Sequence, residues 1–196
     1  MAVNLTKGQK IVLKKDSGVA LSKVTIGLGW DVVESTGFFS MFSSQDIDCD
    51  ASVFLLKGGK LVSDDDIVYF GNLEHKSGSV CHMGDNLTGE GEGDDEQVVV
   101  ELARVPQAYD RLVFVVNIYK ASSRDQQFGM VKNAFIRICD EKGHEFCRYD
   151  LSGKEYDGMT AMIFGEVYRH NGEWKFNAIG QGTKDDAIDD LAERYQ

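Results

Sequence analysis

The chain has 196 residues, with 21 lysines and arginines against 32 aspartates and glutamates, so its formal net charge is −11. Apolar residues make up 42% of a length that suits one compact domain, which excludes disordered and fibrous chains and predicts a single domain over residues 1–196. Because nucleic acids and anionic membranes attract Lys and Arg, so acidic a chain is expected to bind neither, and cations are its expected partners.

The cellular compartment is predicted from what the sequence lacks. No apolar run approaches the roughly 18 residues that span a bilayer, so no transmembrane segment is expected. The first residues carry no secretory apolar block, which favours a cytoplasmic protein. The cysteines form no C-x-x-C pair and are expected to be reduced and mostly buried. They are Cys49, Cys81, Cys139 and Cys147.

Short runs rich in β-branched and aromatic residues recur along the chain, separated by turn residues. This pattern is typical of all-β proteins, and helical periodicity is missing over most of the length. We therefore predict an all-β fold, a β-sandwich of two mainly antiparallel sheets. The clearest predicted strands are Val98–Leu102, Leu112–Tyr119, Ala134–Cys139 and Glu173–Ile179.

Three tight connections support the strand prediction. The pairs Gly58-Gly59, Lys142-Gly143 and Asn171-Gly172 each separate two apolar runs. Asn-Gly is the strongest of these signals, because both residues adopt the positive φ angles of a type I′ turn. We expect tight connections at all three positions and a β-hairpin at Asn171-Gly172.

The end of the chain has a different pattern. From Thr183 onward, apolar residues recur at helical spacing behind an acidic first turn. This predicts one short C-terminal α-helix packed on the sandwich, with Thr183 or Asp185 as its N-cap. The apolar positions are Ala187, Ile188, Leu191, Ala192 and Tyr195.

Twelve of the 32 acidic residues lie in three windows that contain no Lys or Arg. The rest of the chain has 20 acidic and 21 basic residues, so these windows account for the net negative charge. Crowded carboxylates repel each other, and bound cations relieve that repulsion. The windows contain Asp46, Asp48 and Asp50; Asp64, Asp65 and Asp66; and Asp85, Glu90, Glu92, Asp94, Asp95 and Glu96.

The third window, GDNLTGEGEGDDE, combines carboxylates with the Asn86 amide and four glycines. Carboxylate, amide and carbonyl oxygens are the ligands of a hard divalent cation, and Ca²⁺ fits better than Mg²⁺ or Zn²⁺. The twelve residues from Asp85 to Glu96 match the length of an EF-hand loop but not its ligand positions. We expect a loop between two strands, with the ion completed by residues remote in sequence.

The other two windows give weaker signals. Strand alternation places Asp46, Asp48, Asp50 and Ser52 on the face opposite Cys49, Ala51 and Val53, which indicates either solvent or a metal. The Asp64–Asp66 run is interpreted as a solvated turn before the apolar IVYF segment.

No catalytic constellation is recognised. The sequence has no G-x-S-x-G, H-E-x-x-H or P-loop motif, and the carboxylates of the G-E-G-E-G stretch would repel phosphate. Cys81 and His82 are adjacent, but no second cysteine is close, so packing or surface roles are expected for both.

Longer segments resemble the TerD family of tellurite-resistance and stress proteins, and the resemblance covers nearly the whole chain. Long motifs in the right order are more specific than any single glycine pattern. They are GLGWD, DCDASVFLL, GSVCHMGDNLTGEGEGDDE, FGMVKNAFIRI, RYDL and TAMIFGEVYRHNGEWKFNAIGQG.

The resemblance implies a calcium-binding β-sandwich, usually with two Ca²⁺ ions, in bacterial cytosolic proteins associated with tellurite, oxidative, phage and colicin resistance. It implies no enzymatic activity. It also implies that Asp31, which lies outside the three charge windows, is a metal ligand. The full set of candidate ligands is Asp31, Asp48, Asp50, Asp85, Asn86, Asp94, Asp95 and Glu96.

The chain also departs from the family pattern. An apolar run, Phe38–Phe42, stands where the family usually has a short polar link, and Cys49 replaces the usual leucine. Exposed apolar segments commonly mark interaction sites, so the insert is either a partner surface or a loop folded over the sandwich edge.

Three functions follow as hypotheses. The first is a non-enzymatic stress module whose Ca²⁺-ordered loops dock other Ter-family or membrane-associated stress proteins. The second is a metal-dependent or thiol-dependent enzyme acting in tellurite or oxidative stress, with Cys81 as the thiol. The third is that calcium serves stability alone.

Overall fold

The computed structural model describes residues 2–32, 47–84, 93–151 and 153–196. Within them, twelve strands form two six-stranded sheets that share one apolar core, which confirms the predicted β-sandwich. The strands are β1 (Val3–Asn4), β2 (Lys10–Val12), β3 (Val24–Val32), β4 (Cys49–Leu56), β5 (Ile67–Val68), β6 (Val80–His82), β7 (Glu96–Val100), β8 (Arg111–Ile118), β9 (Val131–Cys139), β10 (Glu145–Asp150), β11 (Ala161–His170) and β12 (Glu173–Thr183).

The first sheet has the strand order β1-β10-β9-β3-β7-β6, and the second has the order β2-β12-β11-β8-β4-β5. Every pairing is antiparallel except the short parallel contact of β1 with β10. The sheets are therefore mainly antiparallel, as predicted.

Strand β4 shows how alternation builds the core. Cys49, Ala51 and Val53 contribute to the cluster between the sheets, whereas Phe54 and Leu56 join a second cluster on the outer face of the second sheet. By the same two-residue period, Asp50 and Ser52 belong to that outer face. The predicted opposition of Asp50 and Ser52 to Cys49, Ala51 and Val53 is confirmed.

The three predicted turns are present. Asn171 and Gly172, between β11 and β12, have φ angles of 53° and 79°, and Gly58 and Gly59 have φ angles of 61° and 77°. Gly143, between β9 and β10, has a φ of 79°. These are the left-handed conformations that glycine and asparagine adopt at low cost.

A C-terminal helix, α2 (Ile188–Glu193), packs on the second sheet, as predicted, and a single turn, α1 (Ala121–Arg124), follows β8. The predicted caps are wrong, because Thr183 is the last ladder residue of β12 and Asp185 pairs with Arg194 at 2.6 Å. The Asp190 carboxylate instead accepts the Ala187 N–H at 3.2 Å. No helix in the described ranges is long and apolar enough to span a bilayer.

Candidate functional site

The candidate ligands that the structure describes lie where β3 ends, β4 begins and β7 begins. The pairing of Leu28 with Glu96 sets the end of β3 beside the start of β7, and a hydrogen bond from Ala51 to Glu96 adds the start of β4. We call this set of side chains the acidic end. It consists of Asp31, Asp48, Asp50, Asp94, Asp95 and Glu96.

Asp95 is held by the backbone of β3. Its N–H donates to the Leu28 carbonyl at 2.8 Å, and its Oδ2 accepts the Trp30 N–H at 2.7 Å. Burial raises the pKa of Asp95, the Trp30 N–H opposes this shift, and the charges of Asp31 and Asp94 raise the pKa further. The three carboxylates therefore act on each other, and a cation bound among them would favour their charged forms.

Asp94 lies over Gly27 on the outer face of the first sheet. A Cβ at Gly27 would be 2.2 Å from the Asp94 carboxylate carbon, so only glycine leaves room for this arrangement. Asp94 accepts hydrogen bonds from Arg137 Nε at 2.6 Å and Gln97 Nε2 at 3.1 Å, and its side chain is 2% exposed. Asp94 thus belongs to an ion pair at the border of the acidic end.

Asp31 is exposed, and its Oδ2 accepts the Asn133 amide at 2.6 Å. Asn133 has a φ of 53°, a left-handed conformation that asparagine tolerates. This residue of β9 therefore brings an amide to the carboxylate that only the family resemblance had indicated.

Glu96 joins the two sheets. Its Oε2 accepts the Ala51 N–H at 2.7 Å and lies 3.3 Å from His82 Nε2. Glu96 is 2% exposed and His82 is 4% exposed, so the contact is buried. The sequence-based expectation of a packing or surface role for His82 did not include this pair with Glu96. Val80 and His82 share one face of β6, so strand alternation could have indicated that His82 is buried.

Asp48 and Asp50 flank Cys49, which is fully buried. Burial raises the pKa of the Cys49 thiol, and the charges of Glu96, Asp50, Asp48 and Asp95 raise it further, in that order. Because all four carboxylates influence one thiol, the structure brings the first acidic window and the Asp95–Glu96 segment together.

Other sequence-based predictions fall outside the described residues. Asp85 and Asn86 are among these, as are Asp46 and the insert Phe38–Phe42. Among the residues that are described, no group of three or more His, Cys, Asp or Glu side chains is arranged to hold a metal ion. The oxygen donors of the acidic end suit a hard cation in chemistry, but the described ones do not complete a coordination shell.

The interpretation of Asp64–Asp66 as a solvated turn is wrong for its last residue. Asp64 and Asp65 are exposed, whereas Asp66 is fully buried. Its carboxylate accepts hydrogen bonds from Tyr109 at 2.6 Å and Lys57 at 3.0 Å, with further contacts to His75 and Lys76, each at 3.3 Å. These donors come from distant positions, so the local acidic pattern gave no sign of them.

The four cysteines are free thiols, three buried and Cys81 half-buried. Burial raises the pKa of Cys81, and the charges of Glu74 and Glu101 act in the same direction. A raised pKa lowers the fraction of reactive thiolate at neutral pH. The charges of Arg104 and Lys23 oppose the shift, but burial and the two glutamates outweigh them and the pKa of Cys81 is raised.

The fold and the acidic end define a β-sandwich module that gathers carboxylates from three remote segments at one end. Comparison with known proteins gives the family: the TerD domain model matches residues 1–195, and the chain belongs to the TerD family.

Named relatives share this family. The chain is 50% identical to stress response protein SCP2 of Bacillus subtilis (strain 168) over 200 aligned positions that cover both chains completely. It is 47% identical to tellurium resistance protein TerD of Serratia marcescens, covering 93% of this chain and 91% of that one. A solved structure described as a homologue of telluride resistance protein (TerD) from Streptomyces coelicolor A3(2) shares the fold, with a TM-score of 0.70 at 21% identity over 90% of this chain and 99% of that chain.

Proposed function

We propose that this protein is a calcium-binding, non-enzymatic module of the tellurite-resistance and stress-response type, acting in the cytoplasm. Its acidic end would hold Ca²⁺, with two ions expected, and the loaded end would form a docking surface for other Ter-family or membrane-associated stress proteins. The names of its relatives support the stress-response part of this proposal.

One observation carries the calcium part. The hydrogen bonds of Trp30 with Asp95 and of Ala51 with Glu96 bring together acidic segments that are far apart in sequence. Packing carboxylates together is unfavourable unless charge is neutralised, and a divalent cation supplies that neutralisation. Side-chain oxygens of aspartate and asparagine are hard ligands that Ca²⁺ accepts in flexible geometries.

The candidate ligands differ in what the fold lets them do. Asp31, Asp48, Asp50 and Asp95 are the described residues that we propose as direct ligands, together with Asp85 and Asn86. Both Asp94 oxygens accept hydrogen bonds, one of them in the ion pair with Arg137, and Glu96 accepts the Ala51 N–H that joins the two sheets. Breaking the ion pair or the bond between the sheets would cost stability, so we expect these last two to shape the site more than to bind the ion.

Thermal unfolding of metal-stripped protein, titrated with Ca²⁺ and separately with Mg²⁺, tests the proposal. An ion that binds only the folded state at 100 times its Kd stabilises by about 2.7 kcal/mol. We expect Ca²⁺ at micromolar concentrations to raise Tm by roughly 5–10 °C in a domain of this size, and Mg²⁺ to raise it far less. Equal small increases in Tm from both ions would mean that the acidic end is a solvated surface without a specific calcium site.

Variants locate the effect. Asp95→Asn should raise at least tenfold the Ca²⁺ concentration needed for the same rise in Tm, because it removes a charge of the cluster. Asp65→Asn is the matched control, since Asp65 is an exposed aspartate outside the acidic end. An equal loss in both variants would indicate a general charge effect.

Partner capture separates docking from stability. Pull-down from a lysate with Ca²⁺ and with chelator, at a temperature where both forms are folded, should recover Ter-family proteins only with Ca²⁺. Identical recovery in both conditions would mean that calcium serves stability alone.

A further inference from the structure

His82 is the last residue of strand β6 and lies three residues before Asp85 in the sequence. Its ring is buried against Glu96, whose carboxylate also accepts the Ala51 N–H from the second sheet. One imidazole therefore contacts the carboxylate that ties β7 to β4.

Hydrogen bonding indicates the tautomer of the neutral ring. The Gly84 N–H donates to His82 Nδ1 at 3.2 Å, so Nδ1 is an acceptor. In the neutral imidazole the proton is then on Nε2, which donates to Glu96 Oε2 at 3.3 Å. His82 therefore links the Gly84 backbone to the Glu96 carboxylate through its two nitrogens.

We propose that His82 is a positioning residue of the cation site. It does not touch the ion; it fixes Glu96 and the Gly84 backbone relative to β4, which carries Asp50. This inference rests on the calcium function proposed above. Residues that orient metal ligands through a second layer of hydrogen bonds contribute 10- to 100-fold to metal affinity in typical sites.

A second histidine, His75, makes similar contacts outside the acidic end, with the Ser77 hydroxyl and the Tyr109 ring as additional neighbours. His75 Nδ1 accepts the Ser77 N–H at 3.2 Å, and His75 Nε2 lies 3.3 Å from Asp66 Oδ1. Both histidines are thus buried, accept a backbone N–H two residues onward and face a buried carboxylate.

The two pairs share no residue, although the Glu74–Cys81 bridge places the two histidines on neighbouring strand segments. Asp66 contacts Lys57, which directly follows the last residue of β4, whereas Glu96 contacts Ala51 near the first residue of that strand. His75 is therefore a control of the same kind, a buried histidine beside a carboxylate that lies outside the acidic end.

The experiment measures calcium affinity and stability separately in three variants. His82→Asn can accept the Gly84 N–H but is too short to donate to Glu96, whereas His82→Gln can place an amide N–H near the position of Nε2. His75→Asn makes the control change at Asp66. Calcium Kd is measured by calorimetry on folded protein, and stability by urea unfolding in chelator.

We expect His82→Asn to raise the calcium Kd at least tenfold, and His82→Gln to stay within about threefold of the wild-type value. His75→Asn should lose stability while its Kd stays within about threefold of wild type. A Kd for His82→Asn that matches wild type, or an equal weakening by His75→Asn, would overturn the positioning role. Absence of calcium binding in the wild-type protein would instead refute the proposed function itself.

A measurement on the unmutated protein guards against a variant that does not fold. In ¹⁵N-histidine NMR, calcium should shift the ring resonances of His82 and leave those of His75 in place. Unchanged His82 resonances at saturating Ca²⁺ in a wild-type protein that binds the ion would contradict the inference.

Discussion

The Glu96 carboxylate in the first sheet accepts a hydrogen bond from the Ala51 backbone N–H in the second, with Oε2 and N 2.7 Å apart. Sheets of a sandwich are usually joined by apolar contacts alone. Here a buried charge-assisted hydrogen bond fixes how the start of β4 lies against the start of β7. The same bond therefore serves both the packing of the sandwich and the geometry of the acidic end.

Glu96→Ala should destabilise the protein by about 3 kcal/mol in chelator, because it leaves the buried Ala51 N–H without its acceptor. Urea unfolding measures this loss in the absence of any ion effect. Glu101→Ala is the control, since Glu101 forms an exposed pair with Arg104 and should change stability by less than about 1 kcal/mol. Equal stabilities of the two variants would show that the bond between the sheets contributes little.

Asp94 and Asp95 are adjacent but should respond differently to neutralisation. Both Asp94 oxygens accept hydrogen bonds, from Arg137 and Gln97, so Asp94→Asn should change the calcium Kd by less than about threefold. Asp95→Asn should raise it at least tenfold, because second-layer and ligand losses commonly reach that size. Calorimetry with both variants decides the point, and a larger effect at Asp94 would make it a ligand that leaves Arg137 when the ion binds.

Features that depend on neighbouring residues were predictable from sequence. The Asn171-Gly172 turn and the strand after it follow from local conformational preference, and the structure extends that strand from Glu173 to Thr183. Two of the three charge windows likewise indicated the acidic end, because each has an excess of carboxylates, whereas the Asp64–Asp66 window lies outside it.

Features that depend on partners distant in sequence could not be predicted from the sequence. His82 and Glu96 are 14 residues apart, and Tyr109 and Asp66 are 43 apart. Nothing local distinguishes Asp66 from Asp64 and Asp65, yet it alone of the three is buried. Thr183 is a residue type that favours helix N-caps, which is why the sequence predicts it as a cap. Its pairing with Ala161 instead makes it the last residue of β12.

The C-terminal helix should be an integral part of the sandwich. Leu191 is fully buried in the cluster on the outer face of the second sheet, and the Leu61 N–H donates to the Tyr195 carbonyl at 2.7 Å. Leu191→Ala should therefore cost about 3 kcal/mol of unfolding free energy, as buried leucines do. Leu73→Ala is the control, because Leu73 is 46% exposed. A similar small loss in both would mean that the helix is only loosely attached.

The buried Asp66 carboxylate should make the stability of the protein depend on pH in the acidic range. Burial alone would raise its pKa, but hydrogen bonds from Tyr109, Lys57, His75 and Lys76 outweigh this and lower the pKa to about 2. An unfolded aspartate has a pKa of about 3.9. Because the folded pKa is the lower one, the stabilisation is complete above about pH 4 and is lost as the pH falls toward 2, by about 2 kcal/mol.

Tyr109→Phe tests this pH dependence. The substitution removes only the hydroxyl oxygen of Tyr109 and with it the 2.6 Å hydrogen bond to Asp66. The variant should be about 1–2 kcal/mol less stable than wild type at pH 7. With one donor fewer, the folded pKa of Asp66 moves toward the unfolded value, so the variant loses less stability between pH 5 and pH 2. Urea unfolding across that range should therefore show two curves that converge in acid, whereas parallel curves would contradict the role of Tyr109. Tyr119→Phe, at a tyrosine that is 37% exposed, should follow the wild-type curve throughout.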